Sequence, residues 1–90
     1  MSPTVSVIIC CYTQERLQDM RDAVASVRRQ TRPPEEIIVA VDTNRDLHER
    51  LQSDFGEPIK VVLNAGVKGL SATRNVGIAA ARGDLVAFLD

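Results

Sequence analysis

Four short apolar runs, VSVIICCY at 5–12, EIIVAV at 36–41, IKVVL at 59–63 and LVAFL at 85–89, set the terms on which this chain can fold. The first two are near-continuous and rich in β-branched residues, as expected of parallel strands covered on both faces. The segments between the runs read as helices. Leu17, Met20, Ala23, Val24 and Val27 recur at helical spacing, Thr13 stands where a cap belongs, Glu15 lies in the first turn, and Arg28-Arg29 suit a helix C-terminus before Pro33-Pro34. Asp42-Thr43-Asn44 closes the second strand and offers a cap to a short helix carrying Leu47 and Leu51 that ends near Gly56. After a glycine-containing loop, Ser71 is the expected cap of a helix from about Ala72 to Ala81, with Gly83 just past its end. Strand and helix alternate throughout, which predicts an α/β fold with a parallel sheet.

Right-handed crossovers restrict the strand order. If two crossovers run one way and the third returns past strand one, the order is 3-2-1-4, a Rossmann-like sheet with helices on both faces. Its topological switch point lies between strands one and four, and ligands of open α/β sheets bind outside the carboxyl ends of strands at such points. Tyr12, Thr13, Asp42, Arg74 and Asp90 gather there. The same topology leaves Leu85–Leu89 as an apolar open edge and puts two helices on one face but one on the other. Self-association through strand four follows as an expectation, as does a sequence cut short at Asp90.

Ninety residues with 44% hydrophobic content make one small globular unit. A net charge of −1, with eleven scattered Lys and Arg, gives no electrostatic case for nucleic acid. There is no apolar run long enough to cross a bilayer and no basic, apolar leader, so a soluble cytoplasmic protein is the default expectation. Cys10 and Cys11 are neighbours on a strand and point to opposite faces, which disfavours a disulfide between them. With His48 as the one histidine, expected on the surface, a Cys-based metal site has too few partners; two buried thiols in a reducing compartment are the simpler reading.

Asn64 to Gly77, followed by Arg82-Gly83-Asp84 and a strand ending in Asp90, carries most of the functional signal. A loop, a helix start bearing Arg74 and Asn75, and an acid at a strand tip suit the gripping of a nucleotide diphosphate by backbone and guanidinium donors, with a carboxylate placed for a metal. Arg74, expected in the first helical turn, adds to the positive end of the helix dipole, so an anionic partner is called for: a ligand, or Asp42 or Asp90. Asp42 can accept from a pyrimidine N–H or cap a helix, a duty Asn44 can also fill. Gly77 permits close helix–sheet approach. The loop lacks the spacing of a P-loop, and Lys68 lies before its second glycine.

These residues give the chain a resemblance to the family-2 glycosyltransferases, which use nucleotide sugars on the A-type glycosyltransferase fold. Val5–Thr13 resembles the family's opening V-S-V-I-I-P-x-Y-N, and Gln30-Thr31 with Glu36-Ile37-Ile38-Val39 resembles its Q-T … E-I-I-V-V-D-D-G-S segment. Asn64-Ala65-Gly66, Leu70-Ser71-Ala72, Arg74-Asn75-Val76-Gly77-Ile78 and Ala81-Arg82-Gly83-Asp84 match its N-x-G-x-x-x-A-R-N-x-G-I-x-x-A-x-G-D/E block. Leu85–Asp90 matches the approach to its Asp-x-Asp metal motif. One departure stands out: Val41-Asp42-Thr43-Asn44 keeps a single carboxylate where the family often has two.

The resemblance implies that residues 1–90 are the N-terminal nucleotide-sugar-binding part of a glycosyltransferase domain incomplete at its C-terminus, with an acid expected one or two positions after Asp90. It implies a parent that moves a sugar from a nucleotide-diphosphate donor, UDP-linked, to an acceptor hydroxyl with Mg²⁺ or Mn²⁺. Tyr12, Thr13, Asp42, Arg74 and Asp90 are the implied donor-binding residues, Asp90 the implied metal ligand. No catalytic residue falls within the segment, so the isolated piece is expected to be inactive. The alternative is a non-catalytic nucleotide-binding or regulatory α/β module.

Overall fold

The near-continuous apolar runs become the inner strands of a parallel sheet, and the helical periodicities become its two covering layers. A computed structural model of the chain describes residues 3–89. In chain order the elements are β1 (Val5–Cys11), α1 (Leu17–Arg28), β2 (Glu36–Asp42), α2 (Arg45–Phe55), β3 (Ile59–Asn64), α3 (Leu70–Ala80) and β4 (Leu85–Leu89), with a 3₁₀ turn at Gln14–Arg16. The sheet order is β3-β2-β1-β4 and every pairing is parallel, as the crossover argument requires. Register runs Ser6–Cys11 against Glu36–Val41 and Val5–Ile9 against Leu85–Leu89.

Alternation along β1 and β2 divides the core in two. Ile9, Cys11, Ile37, Val39 and Val41 face Met20, Val24 and Val27 of α1 and Leu47 and Leu51 of α2. Full burial of each large aliphatic side chain there contributes about 1.5–3 kcal/mol. Ile8, Ile38 and Ala40 form the second, smaller cluster, on the α3 side. Gly77 makes that approach possible: a Cβ on it would lie 2.7 Å from Cγ2 of Ile8. The adjacent thiols part as expected, Cys11 buried in the first cluster and Cys10 half-buried against the second. Burial, with Cys10 alongside, pushes the Cys11 thiol up to about 12, so it is a packing residue and not a nucleophile.

Four local features differ from expectation. Ser71 does not cap α3, which starts at Leu70 behind Gly69; Gly69 has φ 138, a conformation that favours glycine, and turns the chain with no side-chain cap. Arg74 therefore lies in the second helical turn, not the first. Gly83 does not end the helix, because Ala81 already leaves it in extended conformation. Instead Gly83 abuts β1, its N–H donating to Oγ of Ser6 at 2.9 Å. Thr13 caps the 3₁₀ turn, accepting from the Glu15 N–H at 3.3 Å, and α1 begins four residues later.

The amino ends of the strands are tied by Glu36. Its carboxylate accepts from the Ser6 hydroxyl and the Arg82 N–H, each at 2.8 Å, and pairs with Nζ of Lys60 at 2.6 Å. Burial alone would raise this carboxyl; the Lys60 ammonium, the Arg82 N–H and the Ser6 hydroxyl outweigh it and hold it down at about 2, from 4.5. A depressed carboxyl stabilises the fold fully above its unfolded value and loses that contribution as pH falls towards the folded one. Discounted for the exposed side of Lys60, the contribution is about 2 kcal/mol at neutral pH. Urea midpoints should fall between pH 5 and pH 2 in the native protein, and E36Q should remove that part of the slope. An E36Q profile parallel to the native one would contradict this role.

β4 is the exception to the burial of the strands. All five of its residues are exposed, Leu85 at 54% and Phe88 at 41%. A cavity of about 490 Å³ opens there, bounded among others by Val5, Val7, Val27, Pro34 and Leu85.

Candidate functional site

The carboxyl ends of β1 and β2 and the start of α3 converge on one crevice, opposite the Glu36 cluster. Tyr12, just past β1, is 63% exposed, and its carbonyl accepts from Nδ2 of Asn44 at 3.2 Å, joining the tips of β1 and β2. Asn44 also caps α2, its Oδ1 accepting from the Leu47 N–H at 3.0 Å. Capping thus belongs to Asn44, and Asp42 is released from that reading. Between them Thr43 adopts φ 46, a left-handed conformation unusual for a β-branched residue, at the position where the resembled D-D-G-S segment has glycine.

Asp42 ends β2 half-buried, and both carboxylate oxygens accept from the Gly69 N–H, at 3.1 and 3.3 Å. Two cavities adjoin it. One, of about 390 Å³, is lined by Cys10, Cys11, Tyr12, Asp42, Leu70 and Thr73. The other, of about 320 Å³ and more polar, is lined by Tyr12, Asp42, Thr43, Asn44, Arg45, Asp46 and Lys68. Tyr12 and Asp42 border both. An exposed aromatic face and an oriented acceptor are what a nucleobase needs, while Arg45 and Lys68 bring positive charge to the polar side. The larger cavity beneath β4 runs from Val5 and Leu85 to Leu89 and has no titratable group but Arg32, so it offers a base or a phosphate far fewer polar partners.

The structure brings together Tyr12 and Asp42 but disposes of the other expected residues differently. Thr13 spends its hydroxyl on the turn that follows it. Arg74 is half-buried on the β4 side of α3, with Cζ 5.3 Å from the centroid of the Phe88 ring, a cation–π distance. Asp90, the expected metal ligand, lies outside the described residues. His48 is half-buried rather than on the surface, with Nε2 3.3 Å from the Val61 carbonyl. Sequence reasoning passed over Arg45, Asp46, Asn64 and Thr73; only Asn64 had a visible signal, its place in the Asn-x-Gly block.

The described residues contain no group of three or more His, Cys, Asp and Glu able to hold a metal ion. Asp42 is already engaged by Gly69. The described side chains of the crevice do not hold a divalent ion by themselves. Nor is any helix among the described residues long and apolar enough to cross a membrane.

Comparison with known proteins gives this crevice a context. The chain is 40% identical over 88 residues to a glucosyl-dolichyl phosphate glucuronosyltransferase of Haloferax volcanii, covering 96% of this chain and 28% of that protein. It is 37% identical over 90 residues to an uncharacterized glycosyltransferase of Nostoc sp., covering 96% of this chain and 27% of that protein. A third relative, the uncharacterized glycosyltransferase EpsJ of Bacillus subtilis, is 36% identical over 93 residues, 100% of this chain and 26% of its own. The chain thus spans about a quarter of the length of these relatives. The model of the family described as glycosyl transferase family 2 matches residues 6–90, from β1 through the crevice to Asp90. That match takes in nearly the whole chain, and the β3-β2-β1-β4 parallel sheet agrees with the A-type fold: this protein belongs to glycosyl transferase family 2.

Proposed function

We propose that residues 1–90 are the N-terminal, donor-binding part of a glycosyltransferase domain whose parent moves a sugar from a nucleotide-diphosphate donor, UDP-linked, to an acceptor hydroxyl. The observation that carries this reading is the crevice at the carboxyl end of the sheet, where Tyr12 and Asp42 border two adjoining cavities. Asp42 would accept from the pyrimidine N–H, Tyr12 and Thr13 would flank the base, and Arg74 would meet the diphosphate. A divalent ion, Mg²⁺ or Mn²⁺, would be shared by Asp90, diphosphate oxygens and water, and would supply Lewis-acid stabilisation of the departing diphosphate. The segment itself holds the donor and performs no transfer. A buried thiol at Cys11, packed in the core as an apolar residue, is in keeping with a reducing, cytoplasmic setting.

Calorimetric titration of uridine diphosphate with and without Mn²⁺ tests the reading. Binding strengthened by Mn²⁺ in the native protein, and not in D90N, is the expected result. No binding under either condition would overturn it.

The exposed β4 edge supports a further partner, a second copy of the chain, because paired edges would satisfy open backbone groups and cover Leu85, Phe88 and Leu89 together. Sedimentation should show association that F88K weakens. A monomer at high concentration would contradict it.

A further inference from the structure

Asn64 and Thr73 are buried beside the crevice, and their side-chain polar atoms bond to its framework. Asn64, 3% exposed at the end of β3, donates from Nδ2 to the Val67 carbonyl at 2.8 Å and to Oγ1 of Thr73 at 3.1 Å, with Oδ1 of Asp42 at 3.5 Å. Its Oδ1 accepts from the Gly66 N–H at 3.1 Å, and its own carbonyl accepts from the Thr43 N–H at 2.9 Å. Thr73 is fully buried and donates its hydroxyl to the Gly69 carbonyl at 2.9 Å, alongside its backbone N–H at 3.0 Å. Gly69 returns its N–H to both oxygens of Asp42. A ring therefore closes through Asn64, Thr73, Gly69 and Asp42.

Such a ring fixes more than the loop. A carboxylate has about four acceptor directions; the Gly69 N–H lies between the two oxygens and claims the inward ones, leaving the outward ones for the crevice. Where those directions aim depends on where Gly69 sits, and Gly69 is placed by the Thr73 hydroxyl, itself oriented by Asn64. We propose that Asn64 and Thr73 are positioning residues for nucleotide recognition, acting through Gly69 on the Asp42 carboxylate. The proposal rests on the reading of Asp42 as the acceptor for the base.

Thr73→Val keeps the shape of the side chain and removes the hydroxyl; Thr73→Ser restores it. Titrations of uridine diphosphate and of inorganic pyrophosphate into the native protein, T73V, T73S and D42N separate the possibilities, with circular dichroism confirming that each is folded. T73V should bind uridine diphosphate about five- to tenfold more weakly, the loss of an oriented hydrogen bond, while its pyrophosphate affinity stays native and T73S recovers the uridine diphosphate affinity. A folded T73V with native affinity for uridine diphosphate, beside a weakened D42N, would overturn the positioning role and leave the Asp42 reading standing. Native affinity in D42N, or equal losses for both ligands in T73V, would overturn the proposal, the first by removing Asp42 as the acceptor.

Discussion

Replacing Gly83 by Ala is expected to cost about 3 kcal/mol of stability, the upper end of what overpacking does. A Cβ at Gly83 would lie 2.6 Å from Oγ of Ser6, 2.7 Å from its backbone nitrogen and 3.0 Å from the carbonyl carbon of Val5. Two of those atoms are main chain of β1, held by parallel pairing to both β2 and β4, so they cannot swing aside. The substitution also disturbs the Gly83 N–H bond to Ser6 and thereby the Glu36 cluster built on the same hydroxyl. Gly77→Ala provides the contrast. The three atoms nearest its Cβ would be side-chain atoms, Cγ2 and Cδ1 of Ile8 at 2.7 and 3.3 Å and Cβ of Ala40 at 3.6 Å, rather than strand backbone. About 1–2 kcal/mol is expected there. Urea denaturation of both variants gives the comparison, and a G83A midpoint equal to the native one would show that the corner between α3 and β4 is looser than described.

Replacing Arg74 by Ala should weaken uridine diphosphate binding by about 1.5–3 kcal/mol, the range for a hydrogen bond to a charged group. Arg74 stands between α3 and β4, its guanidinium over the Phe88 ring, so its reach is limited by packing rather than free rotation. Arg74→Lys should not restore the affinity, because an ammonium lacks both the planar fork and the stacking surface of a guanidinium. The fold should tolerate either change, since Arg74 is only half-buried and Phe88 is exposed on an edge strand. Calorimetry decides: native affinity in R74A would remove Arg74 from the site.

The sheet order was legible because it followed from apolar runs, helical periodicity and a handedness rule that do not depend on side-chain detail. Thus Val5, Glu36, Ile59 and Leu85 each open a strand as expected, and Met20, Val24, Leu47 and Leu51 point inward. The site was legible in part. Tyr12 and Asp42 fall at strand tips, which topology alone brings together. The ring of Asn64, Thr73, Gly69 and Asp42 was not legible, since it joins residues up to 31 positions apart through side-chain geometry that no spacing rule encodes. For the same reason Ser71 was mistaken for a cap: Gly69, locked by Asp42 and Thr73, starts α3 two residues earlier than propensity suggests. Gly83 was given the common role of a glycine after a helix, whereas its position is set by the backbone of β1.

The central claim is that the crevice at the carboxyl end of the sheet receives a nucleotide diphosphate, and amide chemical-shift mapping during a uridine diphosphate titration tests it most directly. The account predicts shifts at Tyr12, Thr13, Asp42, Thr43, Gly69 and Arg74, with Ser6, Glu36, Lys60 and Gly83 at the far end unchanged. Shifts confined to that far end, or to the cavity beneath β4 around Val5, Val27 and Leu85, would contradict it.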